Sequence, residues 1–231
     1  MIDGVIFDKD GTLFDFRKSW GAWSARLIKD LAQDEAHAKA IAMTLGYSLD
    51  TGDFAPDSIV IAATTAEIAT QVLRHLPGQD HARLTARMND LATGAPMAEA
   101  VPLKAVLGAL HARGLRLGLA TNDAETPARA HLANVGVEQL FDFIAGFDSG
   151  HGGKPAPGQL IAFARQLGLD PARVVMVGDS LHDLDAGRAA GMRTVAVLTG
   201  IAKAPELAPH ADVVLENIGG LGAWIDSLNA A

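Results

Sequence analysis

Residues 2–14 read Ile-Asp-Gly-Val-Ile-Phe-Asp-Lys-Asp-Gly-Thr-Leu-Phe. Val5, Ile6 and Phe7 form an apolar, β-branched run, the pattern of a short buried strand, and Gly11 breaks it. Two carboxylates, Asp8 and Asp10, stand between strand and break with one residue between them. At a strand end, side chains at i and i+2 lean to the same side, so both carboxylates can serve one site. Gly11 lets the backbone leave a sheet sharply and leaves room for a ligand to approach. Taken alone, the stretch is better explained as a strand followed by an acidic turn.

The rest of the chain decides between these readings. From Val101 onward, helical and strand patterns alternate. A helix opens at Pro102, carries Leu103, Val106, Leu107 and Leu110 on one face and closes at Gly114. Leu115 to Ala120 reads as a strand ending in Thr121-Asn122-Asp123, and Thr126-Pro127 as the cap and first turn of a helix that stops at Gly136. Phe143–Ala145, Val174–Val177 and Thr194–Leu198 read as further strands, with a helix from Pro157 to Gly168 and another from about Asp183 to Ala190. Val213–Leu215 reads as a short edge strand before a last helix. Strand–helix repeats of this kind imply an α/β fold: a Rossmann-like parallel sheet covered by helices on both faces.

Residues 16–95 have a different character. Trp20, Trp23, Leu27 and Leu31 recur at the spacing of one helix face, a second helical stretch runs from Asp34 to Leu45, and Thr64 with Glu67 matches a capping box opening a third. A fourth covers about Asp80 to Leu91, and no strand interrupts them. The expected organisation is a core of residues 1–15 and 96–231 with an all-helical cap, 16–95, inserted after the first strand.

Composition narrows the function. The net charge of −8 argues against nucleic acid or an anionic membrane as partner, since either would need a basic face. No apolar run approaches the length of a membrane helix, and the start lacks the pattern of a signal peptide, so a cytoplasmic location is the default expectation. With no cysteine, any metal must be held by oxygen or histidine.

In parallel sheets of this type ligands bind beyond the carboxyl ends of the strands. Asp8, Asp10, Thr121, Lys154, Asp179 and Asp183 all fall at such ends or just past them. Each has a plain alternative: Thr121 a helix cap, Lys154 a solvated loop lysine, Asp179 and Asp183 a turn residue and an N-cap. It is their shared edge of the sheet that favours a site. Four carboxylates in one partly buried pocket need cations to stay ionised, and hard oxygen donors point to Mg²⁺, with Lys154 as a second positive charge. Asp10 is then the natural carrier of a proton for a departing alkoxide.

Asp8-Lys9-Asp10-Gly11-Thr12, the strand-end Thr121, Lys154, and Gly178-Asp179-Ser180-Leu181-His182-Asp183 resemble, in order, the four motifs of the haloacid dehalogenase superfamily of phosphohydrolases. The insert resembles the helical cap of its phosphoglycolate-phosphatase-like members. The resemblance implies Asp8 as the nucleophile that forms an aspartyl-phosphate and Asp10 as general acid and base. It implies Thr121, the Asn122 backbone N–H and Lys154 as phosphate contacts. Mg²⁺ would lie between Asp8, the main-chain carbonyl of Asp10 and Asp179, with Asp183 ligating directly or through water. Lys9 occupies the variable position between the two aspartates. The implied substrate is a small phosphorylated metabolite such as phosphoglycolate, handled by a monomer or homodimer.

A sugar phosphomutase would keep all four motifs and is the nearest alternative. From a different class, a non-catalytic phosphate-binding regulatory module also clusters aspartates, Mg²⁺, Thr and Lys on a parallel sheet, but such receiver domains are shorter and lack the insert. Asp10 speaks against a dehalogenase, whose halide leaves without a proton. Trp20 and Trp23 read as core of the insert, His151 and His182 as solvated loop residues, and Arg17 and Lys18 as candidates to meet an anionic group of the substrate.

Overall fold

The computed structural model describes residues 1–61 and 63–230. Six strands, β1 (Gly4–Phe7), β2 (Arg116–Ala120), β3 (Phe143–Ala145), β4 (Val174–Gly178), β5 (Arg193–Val197) and β6 (Val213–Leu215), form one sheet in the order β3-β2-β1-β4-β5-β6. All its pairings are parallel. The period-two alternation of the strands sorts their side chains onto two faces. Val5, Phe7, Leu117, Leu119, Val175 and Val177 pack with α5 (Leu103–Ala112), α6 (Glu125–Asn134) and α10 (Leu221–Ala230). Ile6, Ala120 and Met176 face the other way, onto α7 (Gly158–Leu167) and α8 (Leu181–Ala189). Both faces are covered, which is why the strands read as continuous apolar runs.

Register places the site. Phe7 is opposite Leu119 on one side and Val177 on the other. Asp8, Thr121 and Asp179, each at or just past the end of its strand, therefore emerge at one edge of the sheet. The edge lies where the strand order reverses direction, between β1 and its neighbours, the position where such sheets bind ligands.

Four helices follow β1: α1 (Phe16–Leu31), α2 (Glu35–Leu45), α3 (Thr65–Val72) and α4 (His81–Thr93). They enclose an apolar cluster of their own, including Phe16, Trp20, Trp23, Leu27, Ile41, Ile68, Leu84 and Met88. Their ends follow the sequence signals closely. Asp15 caps α1 through the Lys18 N–H (3.1 Å), Gly46 closes α2 in the left-handed conformation (φ 64°), and the Thr64–Glu67 capping box opens α3. The segments entering and leaving this insert are paired antiparallel. The Asp15 N–H donates to the Ala98 carbonyl (2.8 Å) and the Ala100 N–H to that of Leu13 (2.9 Å).

Two helix starts differ from the sequence reading. α6 begins at Glu125 with Ala124 as N-cap, so Thr126 lies inside the first turn; the Glu125 N–H is met by the Asp148 carboxylate (2.9 Å), an acceptor from a distant loop. α8 begins at Leu181, capped by Ser180, which puts Asp183 in the first turn rather than ahead of it. A short helix, α9 (Ala204–Leu207), was not foreseen. Among the described residues no helix is long and apolar enough to cross a membrane.

Candidate active site

The strand ends and the insert close around a cavity of about 60 Å³. Asp8, Asp10, Thr121, Asn122, Lys154, Asp179 and Asp183 all line it, so the residues read from the sequence as catalytic, phosphate-binding or metal-ligating reach this one place. Lys154 holds the centre. Its ammonium lies 2.5 Å from Asp8 Oδ1 and 2.6 Å from Asp183 Oδ1, all three side chains being nearly inaccessible. The loop that carries it is fixed by a reciprocal pair: Asn122 Nδ2 donates to the Lys154 carbonyl (2.9 Å), and the Lys154 N–H donates to Asn122 Oδ1 (2.8 Å). Thr121 Oγ1 accepts the Asp123 N–H (3.0 Å), and Gln159 Nε2 donates to the Thr121 carbonyl (3.0 Å), which ties the end of β2 to α7.

Asp183 divides its two oxygens. Oδ2 accepts from the Ser180 N–H (3.1 Å) and hydroxyl (2.7 Å), closing the first turn of α8, while Oδ1 faces Lys154. Asp179 is enclosed by backbone. A Cβ at Gly11, which has a φ of +84°, or at Gly200 would collide with its carboxylate, so a side chain at either position would displace it. The Thr12 hydroxyl approaches Asp179 Oδ1 at 3.4 Å.

The electrostatics of this group are under-compensated. Burial pushes the Asp8 carboxyl up to about 7; Lys154 pulls it down, and Asp183 and Asp10 push it further up. Asp179 is raised well above the carboxylate range, first by burial, then by Asp8 and Asp183. Burial works against the charge of Lys154, but Asp183 and Asp8 outweigh it and hold its ammonium above the ordinary lysine value. Asp8, Asp179 and Asp183 can each offer an oxygen such that all three lie within 4.8 Å of one another. Three buried hard-oxygen donors at that spacing, with one ammonium among them, fit a divalent cation.

Lys9 carries a feature that the sequence reading passed over. Its ammonium is fully buried on the side of the strand end away from Asp8, 2.8 Å from Asp10 Oδ2 and 3.2 Å from Asp123 Oδ2. It also lies 5.1 Å from the centre of the Trp20 ring, a cation–π contact with the insert. His131 Nδ1 is 3.1 Å from it, and His131 Nε2 is 2.7 Å from the Ala92 carbonyl at the end of α4. A carbonyl only accepts and an ammonium only donates, so the imidazole is neutral with its proton on Nε2. In agreement, burial and then Lys9 push His131 down to about 4. Lys9 thus joins Asp10 of the sheet to Trp20 of the insert, with Asp123 and His131 as supports. Lys9→Met should leave the buried Asp123 and the part-buried Asp10 without their counter-charge and lower unfolding free energy by about 3–5 kcal/mol. Urea unfolding measures this; an unchanged midpoint would show that the fold does not need Lys9 as their counter-charge.

The remaining candidates separate. Trp20 and Trp23 belong to the core of the insert, as read, and also form the roof of the cavity with Val60, Ile61 and Ile68. His182 is in the lining; His151 is not, and packs against Phe143 instead. Arg17 and Lys18 do not reach the cavity. Arg17 turns outward to Asp53 (2.8 Å) and Lys18 to Asp15 (3.0 Å), acidic partners closer to hand than the site.

Residues 2–191 match the family of haloacid dehalogenase-like hydrolases. The chain is similar to the phosphoglycolate phosphatase of Rhodospirillum rubrum, 32% identical over 241 residues, covering 97% of this chain and 91% of that one. It is also similar to the phosphoglycolate phosphatase of Escherichia coli K12, 30% identical over 213 residues, covering 86% and 82%. Among solved structures, CbbY from Rhodobacter sphaeroides in complex with phosphate superposes with a TM-score of 0.71 at 24% identity, over 96% of this chain and 97% of that one. β-Phosphoglucomutase from Clostridium difficile does so with 0.68 at 18%, over 98% and 96%. At these identities the structural likeness is one of fold. The sequence match over most of the chain is one of family: the protein belongs to the haloacid dehalogenase-like hydrolases and is a phosphatase of that family.

Proposed function

We propose that the protein is a Mg²⁺-dependent phosphatase that hydrolyses a small-molecule phosphate monoester through an aspartyl-phosphate on Asp8. The observation that carries this reading is the cavity in which Asp8, paired with Lys154, faces the same space as Asp10. Phosphoryl transfer is mainly a problem of positioning and of charge, and covalent catalysis divides it into two steps.

Thr121, the Asn122 backbone N–H and Lys154 hold the phosphoryl oxygens. An Asp8 oxygen attacks phosphorus, the bond to the leaving oxygen breaks, and Asp10 gives that oxygen its proton. Asp10 then takes a proton from water as the water attacks the aspartyl-phosphate; the phosphorus–Asp8 bond breaks and inorganic phosphate leaves. Mg²⁺ would be held by Asp8, the Asp10 main-chain carbonyl, Asp179 and Asp183, and when bound it supplies the positive charge that lets an anionic ester approach an anionic nucleophile. Residues 16–95 act as a cap over residues 1–15 and 96–231, keeping bulk water out while the aspartyl-phosphate forms and admitting small substrates only. The setting is cytoplasmic, with a small phosphorylated metabolite as partner and neither nucleic acid nor membrane. Phosphoglycolate is the first compound to assay, because the sequence relatives carry its name.

Asp10→Asn tests the division of labour. An amide neither donates nor accepts the proton, so kcat on an alkyl phosphate should fall by ~10²–10⁴-fold. p-Nitrophenolate leaves without protonation, so p-nitrophenyl phosphate should lose much less. Equal losses on both esters would count against Asp10 as the acid.

A further inference from the structure

The floor of the cavity recognises a phosphoryl group and a metal; selection among phosphate esters therefore falls to the roof and the entrance. We infer, on the basis of the phosphatase reading above, that the organic part of the substrate is apolar next to the phosphoryl group and carries no second anion.

The roof is hydrocarbon and indole: Trp20, Trp23, Val60, Ile61 and Ile68 face the catalytic carboxylates. The ammonium groups nearby are committed. Lys154 is held between Asp8 and Asp183, and Lys9 is fully buried beneath Trp20 between Asp10 and Asp123, outside the lining. Arg17 and Lys18 point away to their own aspartates. Among the described residues the lining holds one basic side chain besides Lys154, His182.

The roof also offers the N-terminus of α3, where Thr65 lines the cavity and a helix end favours an anion. Its own carboxylate already fills that role. Glu67 Oε2 accepts from the Thr64 N–H (2.7 Å) and the Thr64 hydroxyl (2.8 Å).

The entrance repeats the pattern. An outer cleft of about 610 Å³ shares Ile61, Ala63, Lys154 and His182 with the cavity, and its other walls include Asp57, Glu67 and Glu206. A carboxylate or second phosphate on the substrate would pass negative walls and then leave water for a largely apolar surface that holds no lysine or arginine for it among the described residues, Lys154 being taken up by the phosphoryl group. An alkyl or aryl group would gain contact with the same surface.

n-Propyl phosphate and 2-phosphoglycolate form a nearly isosteric pair in which an ethyl group replaces a carboxylate. With wild-type enzyme and Mg²⁺, kcat/KM for n-propyl phosphate should exceed that for 2-phosphoglycolate by roughly tenfold or more, although glycolate is the better leaving alcohol. Ile61→Lys places an ammonium in the roof and should shift the ratio toward 2-phosphoglycolate by a similar factor. A wild-type kcat/KM for 2-phosphoglycolate equal to or above that for n-propyl phosphate would overturn the inference while leaving the phosphatase reading intact. Failure to hydrolyse either ester, or p-nitrophenyl phosphate, would overturn both.

Discussion

Asp8→Asn is expected to reduce kcat to background, at least ~10⁴-fold below wild type, on every phosphate ester including activated ones. The amide is nearly isosteric with the carboxylate and can still accept from Lys154, but it does not attack phosphorus, and no other carboxylate is positioned to replace it. Asp10 is turned toward Lys9, Asp183 is held by the start of α8, and Asp179 is walled in by Gly11 and Gly200. The variant should nevertheless be at least as stable as wild type without metal at pH 8. Burial raises the Asp8 carboxyl to about 7, so the ionised group costs the folded state free energy that an amide does not. Steady-state kinetics with thermal unfolding checks both halves. Retention of more than a few per cent of wild-type kcat would remove Asp8 as the nucleophile.

Removal of the metal is the second large effect. Excess EDTA should bring turnover to background and added Mg²⁺ should restore it, while Asp179→Asn should stay inactive at any ordinary Mg²⁺ concentration. Stability should respond with a definite sign. Asp8 and Asp179 both bind a proton more tightly folded than unfolded, so the metal-free protein loses stability as pH rises above the ordinary carboxylate range toward and past about 7. A bound cation offsets that cost. The rise in Tm on adding saturating Mg²⁺ should therefore be small near pH 4.5 and reach about 5–10 °C at pH 8. Full activity in EDTA, or a Tm that ignores Mg²⁺ at pH 8, would contradict the assignment of these carboxylates to a cation.

Much of this site is legible in the sequence because its parts obey one-dimensional rules. Asp8 and Asp10 share an edge through strand alternation, and Thr121 and Asp179 follow runs whose apolar character marks buried parallel strands. The same alternation hid Lys9. Its side chain leaves on the opposite side from Asp8, and what lies there is assembled from Asp123 after β2, His131 on α6 and Trp20 on α1. One signal was available: a lysine between two residues of a buried strand end has no route to solvent and requires buried acids, of which Asp123 beside Thr121 was the nearest in type and place.

Arg17 and Lys18 misled for a related reason. Proximity to the first motif in sequence suggested proximity to the substrate, whereas α1 turns Trp20 and Trp23 inward and leaves its first-turn cations to Asp53 and Asp15. The start of α6 was misplaced because its first N–H is satisfied by Asp148, an acceptor that no local pattern announces.

The central claim is a covalent intermediate on one carboxylate. Enzyme mixed in excess with a phosphate-labelled alkyl ester and Mg²⁺, quenched in acid within a turnover and reduced with borohydride, should yield peptides in which position 8 alone has become homoserine. Inorganic phosphate released in the same time course without modification at Asp8, or with the label on His182 or another residue, would contradict it.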